Sequence, residues 1–456
     1  MQTEQSLSIA NPNPIHTSTL QKAALAALSV SLLIFLTVWA SGKVIIGTPS
    51  VLLAIALGLA AIGTIIFVRE EYANKPEGIK NNGVWFKSLS SRGIWGWMIG
   101  VLLTGFYIIL YWFPEYMTGL IQLFDPLSIF IRGKPSDQWF VYGSFYTFGV
   151  LLMGYKFAIK YRHNRYQLIR TASVSFFQLG FSFLIPSFLM LMNEPEYYLT
   201  YFWPLKTDSM KPESINWILQ ASSHKLGWFF IGFSILMTFV GTPILTYFYG
   251  KRWYCSWVCG CGGLAETVGD PFRHLSDKSL GAWKFERWMI HSVLIFVTLM
   301  TVLLWVNSAS NGTVLGSFSM GFSKTYAFLI GSVFSGVIGT GFYPILGNRS
   351  WCRFGCPQAA ILGIFQKKKS KFRITTNGGQ CISCGNCSTY CEMGIDVRSY
   401  AQKGQDIVRA SCVGCGICSA VCPRGVLKLE NGDLDINERT NDLKAIHISR
   451  DAVKML

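Results

Sequence analysis

The chain has 456 residues, of which 51% are hydrophobic, 15% aromatic and only 14% charged, with a formal net charge of +16. That balance excludes an ordinary soluble protein and points to the membrane class. No zinc-finger, RNA-binding or helix-turn-helix signature accompanies the positive charge, so nucleic acid is excluded as a partner and the basic residues are read as flanks of membrane segments.

Residues 1–18 are polar and carry Pro12 and Pro14, which predicts an N-terminal tail rather than a cleaved signal peptide. Apolar stretches long enough to cross a bilayer follow near residues 20–40, 50–68, 94–113, 141–159, 172–192, 226–248, 288–307 and 326–346, so residues 19–365 are expected to form a membrane domain of about eight spans. The loops after the second, fourth and sixth spans are rich in Lys and Arg, among them Arg69, Lys160, Arg162, Lys251, Arg252 and Arg273, and the alternating loops are poorer. The positive-inside rule then places both termini on the cytoplasmic side of a cell inner membrane. Within the spans, Lys156 lies near an inner end, where it is expected to snorkel. Charged groups are otherwise almost absent there, which disfavours ion pumping by this chain alone. Gly331, Ser335 and Gly339 have the small-xxx-small spacing of a close helix contact.

All thirteen cysteines lie after residue 254, a distribution unlike a disulfide framework. Five of them follow two spans. One passage reads Gly250-Lys251-Arg252-Trp253-Tyr254-Cys255-Ser256-Trp257-Val258-Cys259-Gly260-Cys261, the other Gly347-Asn348-Arg349-Ser350-Trp351-Cys352-Arg353-Phe354-Gly355-Cys356-Pro357, and each is preceded by Pro-Ile-Leu. This is an internal repeat of a span ending in a paired-thiol turn. The thiols could hold a further iron–sulfur cluster, act as a redox dithiol, bind copper or zinc, or be buried as small hydrophobes; Cys261 has no counterpart in the second copy. Glu266, Asp270 and His274 recur every four residues after the first turn, so one helix face would carry them as candidate proton acceptors at the membrane edge, or simply as a solvated polar face.

After the last span, Gln366-Lys367-Lys368-Lys369-Ser370-Lys371-Phe372-Arg373 is a basic juxtamembrane cluster suited to anionic membrane lipids. Residues 372–434 are expected to form a small α+β ferredoxin-like domain with strands at Phe372–Thr375 and Val426–Leu429, followed by a C-terminal tail, 435–456. Its runs are Cys381-x-x-Cys384-x-x-Cys387-x-x-x-Cys391 and Cys412-x-x-Cys415-x-x-Cys418-x-x-x-Cys422-Pro423. In this pattern three thiolates of a run hold one [4Fe–4S] cluster and the fourth crosses to the other. Cys381, Cys384, Cys387 and Cys422 would serve the first cluster, and Cys412, Cys415, Cys418 and Cys391 the second. Structural zinc is the alternative, which two matching four-cysteine runs fit poorly. Cys391 is followed by Glu392 where proline is usual. Histidines are few, and only His291 falls near a span, which argues against haem.

The two Cys-x-x-x-Cys turns after spans, followed by the two-cluster run, resemble the membrane polyferredoxins of the NapH/NosR type over roughly residues 226–430. The family's turns usually read Cys-x-x-x-Cys-Pro, as Cys352 to Pro357 does and Cys255 to Gly260 does not. The resemblance implies a mostly α membrane protein of respiratory electron transfer, acting between quinone or a membrane partner and another redox protein, within a multi-subunit complex or as a quinol dehydrogenase-type oxidoreductase subunit. A metalloenzyme-assembly or redox-regulatory factor handling copper, and a subunit of an ion-translocating complex, are the alternative functions.

Overall fold

The computed structural model describes residues 17–45, 47–73, 92–431, 446–448 and 453–455. Most of the expected N-terminal tail, and Lys75, Lys80 and Lys87 of the first basic loop, lie outside them.

Helix α1 (Thr19–Ser41) starts at Ser18, whose side chain accepts from the Gln21 amide while Gln21 answers in a capping box, and stops at Gly42 with a φ of 67°. It packs antiparallel on α2 (Pro49–Ala73). Helix α3 (Ile94–Trp112) is followed by α4 (Thr118–Arg132), an amphipathic helix unforeseen in the sequence, which buries Leu120, Leu123 and Phe124 against the first two helices. Next come α5 (Gln138–Lys160), α6 (Arg165–Leu191), α7 (Pro212–Ala221), α8 (Lys225–Tyr249), α9 (Gly260–Thr267), α10 (Leu280–Ala309), α11 (Ser317–Ile338) and α12 (Pro357–Lys369).

Among the described residues seven helices are long and apolar enough to cross a membrane: α1, α2, α3, α6, α8, α10 and α11. The eighth expected span is α5, 23 residues long, so its length of roughly 34 Å suffices. Its composition is more polar because it lies inside the bundle, where Ser144, Thr147 and Lys160 are buried against neighbouring helices instead of lipid. Lys156 does not snorkel. Its ammonium turns inward, 3.6 Å from Asp270. The last span also begins and ends earlier than expected, and Tyr343–Leu346 forms a separate helical turn after it. Of the small-residue positions expected to make a close contact, Gly331 has open space around it, whereas a Cβ at Gly339 would come within 2.8 Å of the Trp351 side chain. A second close approach falls at Gly336, where a Cβ would come within 2.6 Å of the Tyr111 ring.

The C-terminal region is the small α+β unit expected from the cysteine runs. β1 (Phe372–Thr376) pairs antiparallel with β2 (Leu427–Asn431), with Ile374 opposite Leu429, so the sheet closes the region's two ends. Inside the expected tail, β3 (Ile446–Ile448) and β4 (Val453–Met455) form a second antiparallel pair. The basic stretch after α11 divides: Lys367, Lys368 and Lys369 are exposed at the end of α12, while Gln366 and Arg373 are buried. Gln366 accepts from the Lys251 amide at 2.6 Å and donates to the Arg409 and Cys412 carbonyls, so it pins the 409–412 loop to the first cysteine turn.

Candidate iron–sulfur sites

The repeat is visible in the backbone. Gly250 has φ 65° and ψ −168°, and Gly347 has φ 90° and ψ 166°, a region essentially reserved for glycine. Each stands five residues before a first cysteine, Cys255 or Cys352, and each second cysteine, Cys259 or Cys356, caps the start of a helix, α9 or α12. The Pro-Ile-Leu triplets are offset by four residues between copies, about one helical turn. A side chain at Gly347 would strike Ser276, its Cβ 2.5 Å from the hydroxyl.

The structure brings the five membrane-edge cysteines together. Cys255 and Cys259 belong to one apolar cluster, Cys352 and Cys356 to another, and Cys261 packs against both. Arg349 bridges the turns, with one guanidinium nitrogen 3.1 Å from the Cys255 carbonyl and 3.6 Å from the Cys352 sulfur. Burial pushes the Cys255 thiol up to about 12 and raises those of Cys352 and Cys356 as well, each worsened by its neighbouring thiols. Four thiolates crowded out of water need a compensating cation.

In the C-terminal region, one small cavity is lined by Cys381, Cys384, Cys387 and Cys422, with Ile382, Val426 and Leu427 as apolar walls. A second is lined by Cys391, Cys412, Cys415 and Cys418, between Ile374, Ile395, Val397 and Ile407. In both, the fourth cysteine of one run has crossed to the other, the grouping expected from the spacing. Gly414 and Gly416, with φ of 64° and 74°, wrap the second cavity, and a Cβ at either would meet Arg252 or Tyr166 within 3 Å. Burial raises the Cys387 thiol to about 11 and the Cys412 thiol to about 12. Among the described residues, no three Cys, His, Asp or Glu side chains converge closely enough to hold one metal ion. A four-iron cube carries its thiolates on separate irons, so its ligands stand further apart than the four around one tetrahedral ion. These donor sets fit the cube.

The cavities differ in depth. Cys384 is exposed at the first, whereas Cys412 and Cys418 at the second are buried. The loop 410–415 beside the second is clamped to the membrane domain. The Ala410 carbonyl accepts from Lys251, Cys412 from Gln366, Val413 from Ser256, Gly414 from the Tyr166 hydroxyl and Cys415 from Gln167, at 2.8–3.1 Å.

Glu392, in the place where proline is usual, is the centre of that interface. Fully buried, its carboxylate lies 2.8 Å from Arg273 and 3.1 Å from Arg349, and accepts from Asn348 at 3.3 Å. Burial alone would raise its pKa, but the Arg349 and Arg273 guanidiniums outweigh this and hold it down at about 2. Arg349 also holds Glu266 at 2.6 Å, and Arg170 grips the same carboxylate. Asp270 is 2.8 Å from Lys160 and 3.4 Å from Arg273. Burial opposes its ionisation, yet these cations keep the carboxyl below its usual range. The solvated helix face considered for Glu266, Asp270 and His274 is therefore absent. Helix α9 ends at Thr267, and Asp270 and His274 sit on a separate tight turn that Pro271 helps to start. Sequence spacing missed the buried charge network because its members are scattered from Lys156 to Glu392; only the glutamate in the proline position marked it.

A family model described as a 4Fe-4S binding domain matches residues 231–279 and 327–375, once over each cysteine turn, and a 4Fe-4S dicluster domain model matches residues 380–427. The putative electron transport protein YccM of Escherichia coli K12 is 27% identical over 189 residues, 37% of this chain and 48% of that protein. The ferredoxin-type protein NapH of the same organism is 27% identical over 159 residues, covering 33% of this chain and 52% of NapH. The chain is similar to ferredoxin-type electron-transport proteins and carries 4Fe-4S binding domains. Another such relative, the methylamine utilization ferredoxin-type protein MauN of Methylobacillus flagellatus, is 28% identical over 33% of this chain and 53% of its own length. The chain thus spans about half the length of the curated relatives it matches, and no solved structure matches it. It is a multi-pass membrane protein carrying iron–sulfur domains.

Proposed function

We propose that this protein relays electrons between the quinone pool, or a membrane partner, and another redox protein of a respiratory chain. The observation that carries the reading is the order of its cysteine sites: membrane-edge turns, then the loop 410–415 resting on them, then a buried cavity, then one with an exposed cysteine. Cys381, Cys384, Cys387 and Cys422 would hold one four-iron cluster, and Cys412, Cys415, Cys418 and Cys391 a second. Cys255, Cys259, Cys352 and Cys356, with Cys261 beside them, would hold a third. Such a cluster, when bound, takes up and releases single electrons.

The rest is done by this chain's own side chains. Lys251 and Arg349 place positive charge by the membrane-edge thiolates, and Ile374, Ile395, Val397 and Ile407 keep water from the inner cavity. The basic flanks support a cytoplasmic-facing cluster region in the inner membrane. In this reading Glu266 and Asp270 set charge and position, and proton acceptance falls to other groups.

Anaerobic purification with iron, sulfide and copper analysis tests this. Three clusters give about twelve irons with as many sulfides, and Cys352→Ser lowers that to about eight. Stoichiometric copper that the same substitution removes would replace the relay with a metal-handling role, and absence of acid-labile sulfide would end the iron–sulfur reading.

A further inference from the structure

Beside the second cysteine turn lies a cavity of about 280 Å³, bounded on one side by Cys352 and Lys251. Three elements converge on it: the first turns of α10 with Trp283 and Arg287, the end of α12 with Lys367, and Arg409 from the ferredoxin-like region. The Arg287 and Arg409 guanidiniums both stack on the Trp283 indole, 5.2 and 4.8 Å from a ring centroid. Two like charges are thus held on one side chain. Glu286, the carboxylate lining the cavity, is already taken by Arg353 at 2.7 Å and by the Ser411 hydroxyl. Among the described residues no carboxylate pairs with Arg287, Lys367 or Arg409. A cavity built this way is charged for an anion with several oxygens, which guanidiniums bind in forked fashion.

Position narrows the anion. Arg287 stands six residues before Val293, where the uninterrupted apolar part of α10 begins, and six residues of helix rise about 9 Å. That is the outer edge of the headgroup layer, which extends roughly 5–8 Å beyond the hydrocarbon core. Phe285 and Trp288 are 52% and 65% exposed at the same level, in the manner of interfacial aromatics, and Ile364 of α12 is also exposed. An occupant would therefore present phosphate to the cations and acyl chains to the lipid-facing side.

We propose that this cavity binds the phosphodiester headgroup of an anionic phospholipid, with Arg287, Lys367 and Arg409 as its cationic contacts. The bound lipid would tie the ferredoxin-like region to the bilayer next to Cys352. The inference does not depend on what the cysteines hold.

The test is native mass spectrometry of the full-length, iron-loaded protein, delipidated in detergent and titrated with phosphatidylglycerol, phosphatidylcholine or inorganic phosphate. Wild type should retain one phosphatidylglycerol in preference to phosphatidylcholine. The double variant Arg287→Gln, Arg409→Gln should bind it about 30-fold more weakly, roughly 1 kcal/mol per charge. Lys368→Gln with Lys369→Gln, exposed cations of the same helix that do not line the cavity, should bind as wild type does. Iron content reports folding of every variant. Equal retention by the Arg287/Arg409 variant and wild type would overturn the site, as would an equal loss from the Lys368/Lys369 variant. Displacement of the lipid by millimolar inorganic phosphate would assign the cavity to free phosphate instead.

Discussion

Glu392→Gln removes one negative charge and keeps the shape of the side chain. In the native protein that carboxylate lies 2.8 Å from Arg273 and 3.1 Å from Arg349, with all three groups out of water. Deleting one member of a buried ion pair costs about 3–5 kcal/mol, because the partner charge is left without compensation. Here each arginine keeps another carboxylate, Glu266 for Arg349 at 2.6 Å and Asp270 for Arg273 at 3.4 Å, which places the cost at the lower end, about 3 kcal/mol. The loss falls on the interface between the ferredoxin-like region and the membrane domain, so local opening there should become roughly 150-fold more populated. Hydrogen exchange of the purified, iron-loaded protein reads this directly. Amides of residues 391–397 and 410–416 should lose about two orders of magnitude of protection, while those of α1 should be unchanged. A change below threefold at both segments would refute the claim that Glu392 docks the region.

Asp270 should stay ionised between pH 5 and 8. Its carboxyl is held below the usual range by Lys160, Lys156 and Arg273 against the effect of burial, so its stabilisation is full above about pH 4 and is lost only below that. Asp270→Asn should therefore lower the unfolding temperature at pH 5.5, and an unchanged unfolding temperature there would contradict the ion-pair assignment. Gly347→Ala should destabilise by about 1–3 kcal/mol from its backbone conformation alone, with a steric clash against Ser276 added, read as a lower unfolding temperature in the same scan. Chelator challenge of the reduced protein should remove iron from the cavity with exposed Cys384 before the one with buried Cys412 and Cys418; loss in the reverse order would reverse the depth assigned to them.

The helical membrane domain, the two strands closing the C-terminal region and the crossing of Cys391 and Cys422 between cavities were all legible in the sequence, because each is written in local spacing or apolar runs. Helix α4 was not, since its apolar face is shared between lipid and the first two helices and its length is too short for a span. The fourth span was legible as a helix, but the reason for its polarity was not: Lys156 and Lys160 are satisfied by Asp270, more than a hundred residues away. The same holds for Glu392, whose partners come from two other segments.

The clamp on residues 410–415 bears on how such a protein can be made. Tyr166, Gln167, Lys251, Ser256 and Gln366, which hold that loop, are spread over two hundred positions of chain and all precede it. A fragment beginning at residue 372 would lack every one of these donors and leave the Glu392 charge bare. The ferredoxin-like region is consequently packed as no removable module, and soluble expression of it alone is expected to yield a product deprived of its floor.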